Sequence, residues 1–173
     1  MAMFTVAYVL GVTPGKWAGI WRERMPRHPL TLTQLSPAEA VAALLSGDAD
    51  VALVRLPVDT ERFSAIPLYV EKPVVVAPKD HVVEAVDSVE LADLDDLLEG
   101  EWAEVVELVA ANVGTAIMPQ SVARALSRKD VVARPVLDAP ETRVALVWPL
   151  DGTTPDIETF IGIVRGRTAN SSR

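Results

Sequence analysis

SPAEAVAALLSGDADVALVRLP, residues 36–57, encodes a capped helix, a glycine stop and a buried strand in immediate succession. Ser36, with Pro37 at the first helical position and Glu39 three residues after the serine, forms a capping box that satisfies orphan amides at the helix start. Gly47 ends the helix. Asp48 and Asp50 polarise the turn into Val51, Ala52, Leu53 and Val54, an apolar run suited to a strand covered on both faces. Arg55 closes it with a polar edge. The stretch is one α-to-β step of a parallel sheet.

Extended outward, the pattern predicts strands at 4–9, 30–35 and 51–55 around helices at 14–25 and 37–46, a β-α-β-α-β run. Two further strands, 66–70 and 73–77, are separated by the Glu71, Lys72, Pro73 break. The acidic segment LADLDDLLEGE, residues 91–101, follows. Then come a helix near 102–112, a strand at 115–118, a helix at 119–127, strands at 131–137 and 143–148, and a helix at 155–165. Such alternation predicts an α/β fold of mostly parallel sheets with helices on their faces. The tail, 168–173, is expected to fray.

At 173 residues the chain is long enough to bury a core without disulfides or metals. It contains no cysteine, which removes thiol nucleophiles, thiolate metal sites and redox switching together and fits a reducing, cytoplasmic setting. The apolar start MAMFTVAYVLGV has no basic residue before it and alternates like a strand rather than a signal peptide. Glu71 and Lys72 split the longest apolar run, so no membrane span is expected. A net charge of -8 opposes association with a phosphate backbone. The basic clusters Arg22, Arg24, Arg27 and Arg165, Arg167, Arg173 read as solvated helix ends, where cations are favourable without a partner.

Enzyme signatures are missing. His28 and His81 lie far apart, and neither has a second ligand at helical metal spacing. Ser46-Gly47 is no nucleophile elbow, because the glycine before the serine is missing. In GVTPGKW, Trp17 stands where a phosphate loop needs Ser or Thr. The carboxylates Asp93, Asp95, Asp96, Glu99, Glu101, Glu104 and Glu107 lack calcium-loop spacing, since Leu97 and Leu98 fall among them. A solvated helix face is the expectation, with Leu91, Leu94, Leu97 and Leu98 burying the other side. No catalytic residue, metal or cofactor is predicted.

Chemistry is expected where strands hand over to helices. Val12-Thr13-Pro14, Leu35-Ser36-Pro37 and Met118-Pro119-Gln120-Ser121 should face one rim, the usual ligand crevice of an open parallel sheet. Helix-start amides there favour a small carboxylate or other anion. Thr13 and Ser36 could equally serve only as caps for their own helices.

The order Leu44 to Arg55, L-L-x-G-x-x-D-x-A-L-V-R, resembles the ligand-sensing domain of LysR-type transcriptional regulators, where it leads into the third strand of the first lobe. Upstream, the opening strand, the helix ending in Arg22-x-x-x-Pro26 and the second strand are similar. Downstream, FSAIPLYVEKPVVVAPKDHVV resembles the two crossover strands, with Pro78 and His81 in their loop. VELVAANVGTAIMPQSVARAL resembles the second-lobe helix, the Gly114 turn, a strand and the Pro119-led helix.

The resemblance implies a two-lobed, periplasmic-binding-protein-like (type 2) sensor. Residues 1–77 would form the first lobe and the crossover strands, 78–148 a second lobe shortened near Gly100, and 149–173 a helix returning toward the first lobe with a frayed tail. It implies a small-molecule effector between the lobes, against Thr13, Ser36, Arg55, Leu56, Pro57, Gly114 and Thr115. Arg55 could offer two donors to a carboxylate, or form a surface salt bridge. Thr115 could instead satisfy only its local turn.

The resemblance also implies a homodimer pairing the first helix, through Trp17 and Trp21, with the segment carrying Ser121 and Arg124; core packing is the alternative for the tryptophans. With its first strand begun by Phe4, the chain is expected to contain no winged helix-turn-helix and not to bind nucleic acid directly. A ligand-independent dimerisation or decoy module pairing with a full-length regulator is the second reading, and a small α/β enzyme the third.

Overall fold

The computed structural model describes residues 3–166. It contains eight strands and five α-helices among those residues: β1 (Phe4–Tyr8), α1 (Gly15–Arg24), β2 (Leu30–Gln34), α2 (Pro37–Ser46), β3 (Val51–Arg55), β4 (Phe63–Glu71), β5 (Pro73–Pro78), α3 (Trp102–Ala110), β6 (Ala116–Pro119), α4 (Gln120–Ala125), β7 (Val131–Pro135), β8 (Thr142–Pro149) and α5 (Pro155–Val164). The α2–β3 step falls where the sequence places it. Ser36 Oγ accepts the Glu39 N–H at 3.1 Å, and Gly47 caps the other end at φ 83°, a left-handed conformation that a Cβ disfavours.

The chain divides into two compact units, Met1–Tyr69 with Arg143–Arg173, and Val70–Thr142. The first unit holds a five-stranded sheet in the order β2-β1-β3-β8-β4. β2, β1 and β3 are parallel, and β8 adds antiparallel to β3. Five consecutive residues of β8, Val144 to Trp148, are buried, as is most of β3, which accounts for the continuous apolar runs there. Phe4, Trp21 and Phe160 form an aromatic cluster joining β1, α1 and α5.

The second unit is built on a three-stranded sheet, β6-β5-β7, antiparallel at both pairings. Every residue of the central strand β5 is buried. Val75 and Ala77 pack with Val83, Val89, Leu94, Val136 and Ala139 on one face, while α3 and α4 cover β5 from helices later in the chain. β5 bonds only within the second unit's sheet, and β8 bonds to β3.

The acidic segment departs from its expected helix. Residues 91–93 make a single 3-10 turn closed by a reciprocal Glu90–Asp93 capping box, and the chain then runs without helix or strand to α3. Asp96 at φ 53° and Gly100 at φ 139° break any helical path. Leu98 N–H donates to Thr115 O and Thr115 N–H donates to Asp96 O, so the segment is spent on pairing with the turn before β6. Leu91 and Leu97 are consequently exposed, and of the four leucines Leu94 is buried.

Candidate functional site

In the first unit, parallel register puts Tyr8 opposite Gln34 and Leu53. The carboxyl ends of β1, β2 and β3 therefore share one edge, tied by Leu35 N–H to Tyr8 O at 3.0 Å and Val9 N–H to Leu53 O at 3.2 Å. The loop before α1, the turn before α2 and the segment after β3 all leave from that edge. Arg55 braces it from below: its Nη1 donates to the Leu10 carbonyl at 2.9 Å, fixing the β1–α1 loop to the end of β3. A guanidinium so placed acts as a loop tether.

Ser36 and Thr13 differ. Ser36 is a working cap, and its hydroxyl is occupied by the Glu39 amide. Thr13 is exposed and caps nothing, because Pro14 takes the N-cap position of α1 without a side-chain bond. Leu56 is half-buried and its N–H donates to Arg143 O at 2.9 Å; Pro57, joined to it by a cis peptide, is exposed. Pro37 has no N–H and the Glu39 and Ala40 amides are bonded to Ser36, so the bias of this edge toward anions rests on the positive end of the ten-residue α2 dipole.

Gly114 and Thr115 belong to the second unit. A Cβ at Gly114 would lie 2.3 Å from Asp96 O and 3.0 Å from Leu98 Cγ, so only glycine permits the strand to approach segment 94–101. Thr115 is 2% exposed and its hydroxyl donates at 3.2 Å to Asp95 O, twenty positions earlier, rather than within its own turn. The Met118-Pro119-Gln120 handover is also in the second unit's sheet, so the single rim expected for three handovers is, within the first unit's sheet, a rim of two.

Trp21 is not an interface residue. It is fully buried, stacked on Phe4, with Nε1–H donated to His28 O at 2.7 Å. Its apolar area is already consumed by the monomer core. Trp17, one turn earlier, is half-buried and packs against the edge of that core. On α4, Arg124 is exposed, and the Ser121 hydroxyl donates to Glu71.

Two carboxylates noted in the sequence have partners that it did not announce. Asp50 Oδ2 accepts the Thr5 N–H at 2.8 Å while the Asp50 N–H donates to Thr5 O at 2.9 Å, so this aspartate pins the start of β3 to β1. Its position immediately before an apolar strand was the available signal. Glu71, 6% exposed, accepts from two hydroxyls; an acid directly before Lys72-Pro73 between two strands was its only trace. His28 lies 3.5 Å from Asp156 on the surface, and His81 Nδ1 accepts the Val83 N–H as a turn cap. Glu107 pairs with Arg128 at 2.8 Å. Among the described residues no group of three or more His, Asp or Glu could hold a metal, and no helix is long and apolar enough to cross a membrane.

The family model for the LysR substrate binding domain matches residues 15–98 and 100–169. The chain belongs to this family. A LysR substrate-binding domain is a module of transcriptional regulators rather than an enzyme, and the relatives agree. A probable hydrogen peroxide-inducible genes activator from Mycobacterium avium is 38% identical over 99 residues, covering 56% of this chain and 30% of that protein. The matched stretch is thus well under two thirds of the regulator's length.

Solved structures share the fold at low identity. The BenM effector binding domain with its effector benzoate superposes with a TM-score of 0.78 at 18% identity, covering 98% of this chain and 93% of that one. A hydrogen-peroxide-bound OxyR mutant from Corynebacterium glutamicum gives 0.75 at 22% identity, covering 96% and 67%. These likenesses establish for this LysR domain the two-lobed α/β architecture of regulator effector domains.

Proposed function

We propose that this LysR substrate-binding domain senses a small anionic metabolite, such as a carboxylate, held at the carboxyl edge of β1, β2 and β3. The carrying observation is the alignment of those strand ends, with the positive end of the α2 dipole and the exposed Thr13 on one edge and Arg55 stiffening the loop between them. Binding shifts a regulator only if the ligand prefers one arrangement of the domain. Gly114 and Thr115 act in this reading by shaping the second unit, since Thr115 is buried.

Absence of cysteine sharpens the proposal. Peroxide sensing by a thiol needs a thiolate to oxidise, and these 173 residues have none. Although curated relatives are named for hydrogen peroxide, a reversible, non-covalent ligand is the mode this sequence supports. A cytoplasmic regulator that pairs with a second copy through Trp17 and Arg124 completes the reading.

Thermal-shift titration with acetate, succinate and benzoate tests it. A saturable rise in Tm, lost in Thr13→Val, Arg55→Met or Ser36→Ala, supports the site. No rise with any small anion, together with tight pairing to a full-length regulator, would favour the ligand-independent module.

A further inference from the structure

Glu71 ends β4 and Thr142 begins β8, strands that are neighbours in the first unit's sheet; Ser121 lies in the first turn of α4. The Thr142 hydroxyl donates to Glu71 Oε1 at 2.9 Å and the Ser121 hydroxyl donates to Oε2. A second pair of ties runs alongside. Gln120 N–H donates to Lys72 O at 2.9 Å, and Lys72 Nζ meets Glu141 at 3.0 Å. One carboxylate of the unit Val70–Thr142 thus joins the end of β4 and the beginning of β8 to the start of a helix.

We propose that Glu71 is a positioning residue that couples the paired strand ends of β4 and β8 to α4, so that a displacement at either strand end is passed to the helix. The physical basis is burial. A buried carboxylate that loses a donor carries a desolvation cost, so Glu71 deprived of the Thr142 hydroxyl shifts to regain one and disturbs its bond to Ser121. The Lys72–Glu141 pair, whose side chains are 71% and 47% exposed, is too solvated to hold the geometry by itself. Pro73 offers no backbone donor at the strand start, so beside the Gln120 N–H to Lys72 O bond the ties here come from side chains. α4 has only six residues, so its order depends on such docking rather than on helix propensity.

Hydrogen exchange of the full chain tests the coupling, comparing Thr142→Val, Ser121→Ala and the double variant. Thr142 donates to Glu71 and not to α4, so a purely local threonine would leave the helix alone. The proposal expects exchange at the amides of Arg124, Ala125 and Leu126 to accelerate by about tenfold or more in each single variant, as loss of a bond to a buried charge implies. The double variant should gain less than the product of the two, with Val6 in β1 unchanged. Wild-type exchange in α4 of Thr142→Val, multiplicative effects in the double variant, or equal acceleration at Val6 would overturn it. Glu71→Gln, which keeps the shape, should accelerate the same amides.

Discussion

The indole of Trp21 stacks on the ring of Phe4 with centroids 4.5 Å apart and planes 10° from parallel. This pair joins α1 to β1, and Phe160 closes the cluster from α5 at 5.6 and 6.2 Å. Because Trp21 also donates Nε1–H to His28 O, its removal leaves both a cavity and an orphaned carbonyl. Trp21→Ala is expected to cost about 3–5 kcal/mol. Trp17→Ala, at a half-buried position, should cost markedly less. Urea titration of both variants checks the order; equal losses would refute the assignment of Trp21 alone to the core.

Asp50 fixes a register as well as a turn. Its carboxylate is the acceptor for the Thr5 N–H at 2.8 Å. Asp50→Ala should lose about 1–3 kcal/mol by stranding that donor, and Asp50→Asn, which keeps an acceptor oxygen, should lose less. The Thr5 amide should exchange faster in the alanine variant. An unchanged Thr5 rate would show that another group takes the bond.

Gly114 is required by space, not by backbone conformation. Gly114→Ala would drive its methyl to 2.3 Å from the Asp96 carbonyl, so the two segments must part, at an expected cost of about 1–3 kcal/mol or more. The Leu98 amide, bonded to Thr115 O at 2.7 Å, should lose protection first. A Gly114→Ala protein with wild-type stability would contradict the close approach.

Asp59 titrates below the ordinary carboxylate range, chiefly because it accepts the Glu61 N–H and secondly because Arg62 donates to it. A depressed folded pKa means that the unfolded chain takes up its proton first as pH falls. The contribution is therefore present above the unfolded value of about 3.9 and disappears as pH falls through the folded pKa. The stability difference between wild type and Asp59→Asn should shrink over that acid window. A difference that stays constant below it would exclude the linkage.

Most of the element pattern was legible along the chain, for reasons that particular residues show. Ser36, Pro37 and Gly47 act within a few residues of themselves, so their capping roles carried over directly. β3 and β5 are buried on both faces and their apolar runs announce it. The acidic segment 91–101 was misread because leucine spacing alone cannot report that Leu98 and Asp96 are claimed by Thr115, some twenty positions later. At the strand-end edge, the helix starts were readable, whereas the tether from Arg55 to Leu10, 45 residues apart, was not.

The sequence by itself determined the order of strands and helices, the capped α2–β3 step and the loss of all thiol chemistry. These follow from local sterics, side-chain periodicity and composition. Tertiary structure alone decided that Trp21 is core, that β5 and β8 join different sheets, and that Asp50 and Glu71 spend their charges on distant donors. The reason is that burial and long-range hydrogen bonding depend on which segments meet, and a side chain's own neighbours in sequence carry no record of that.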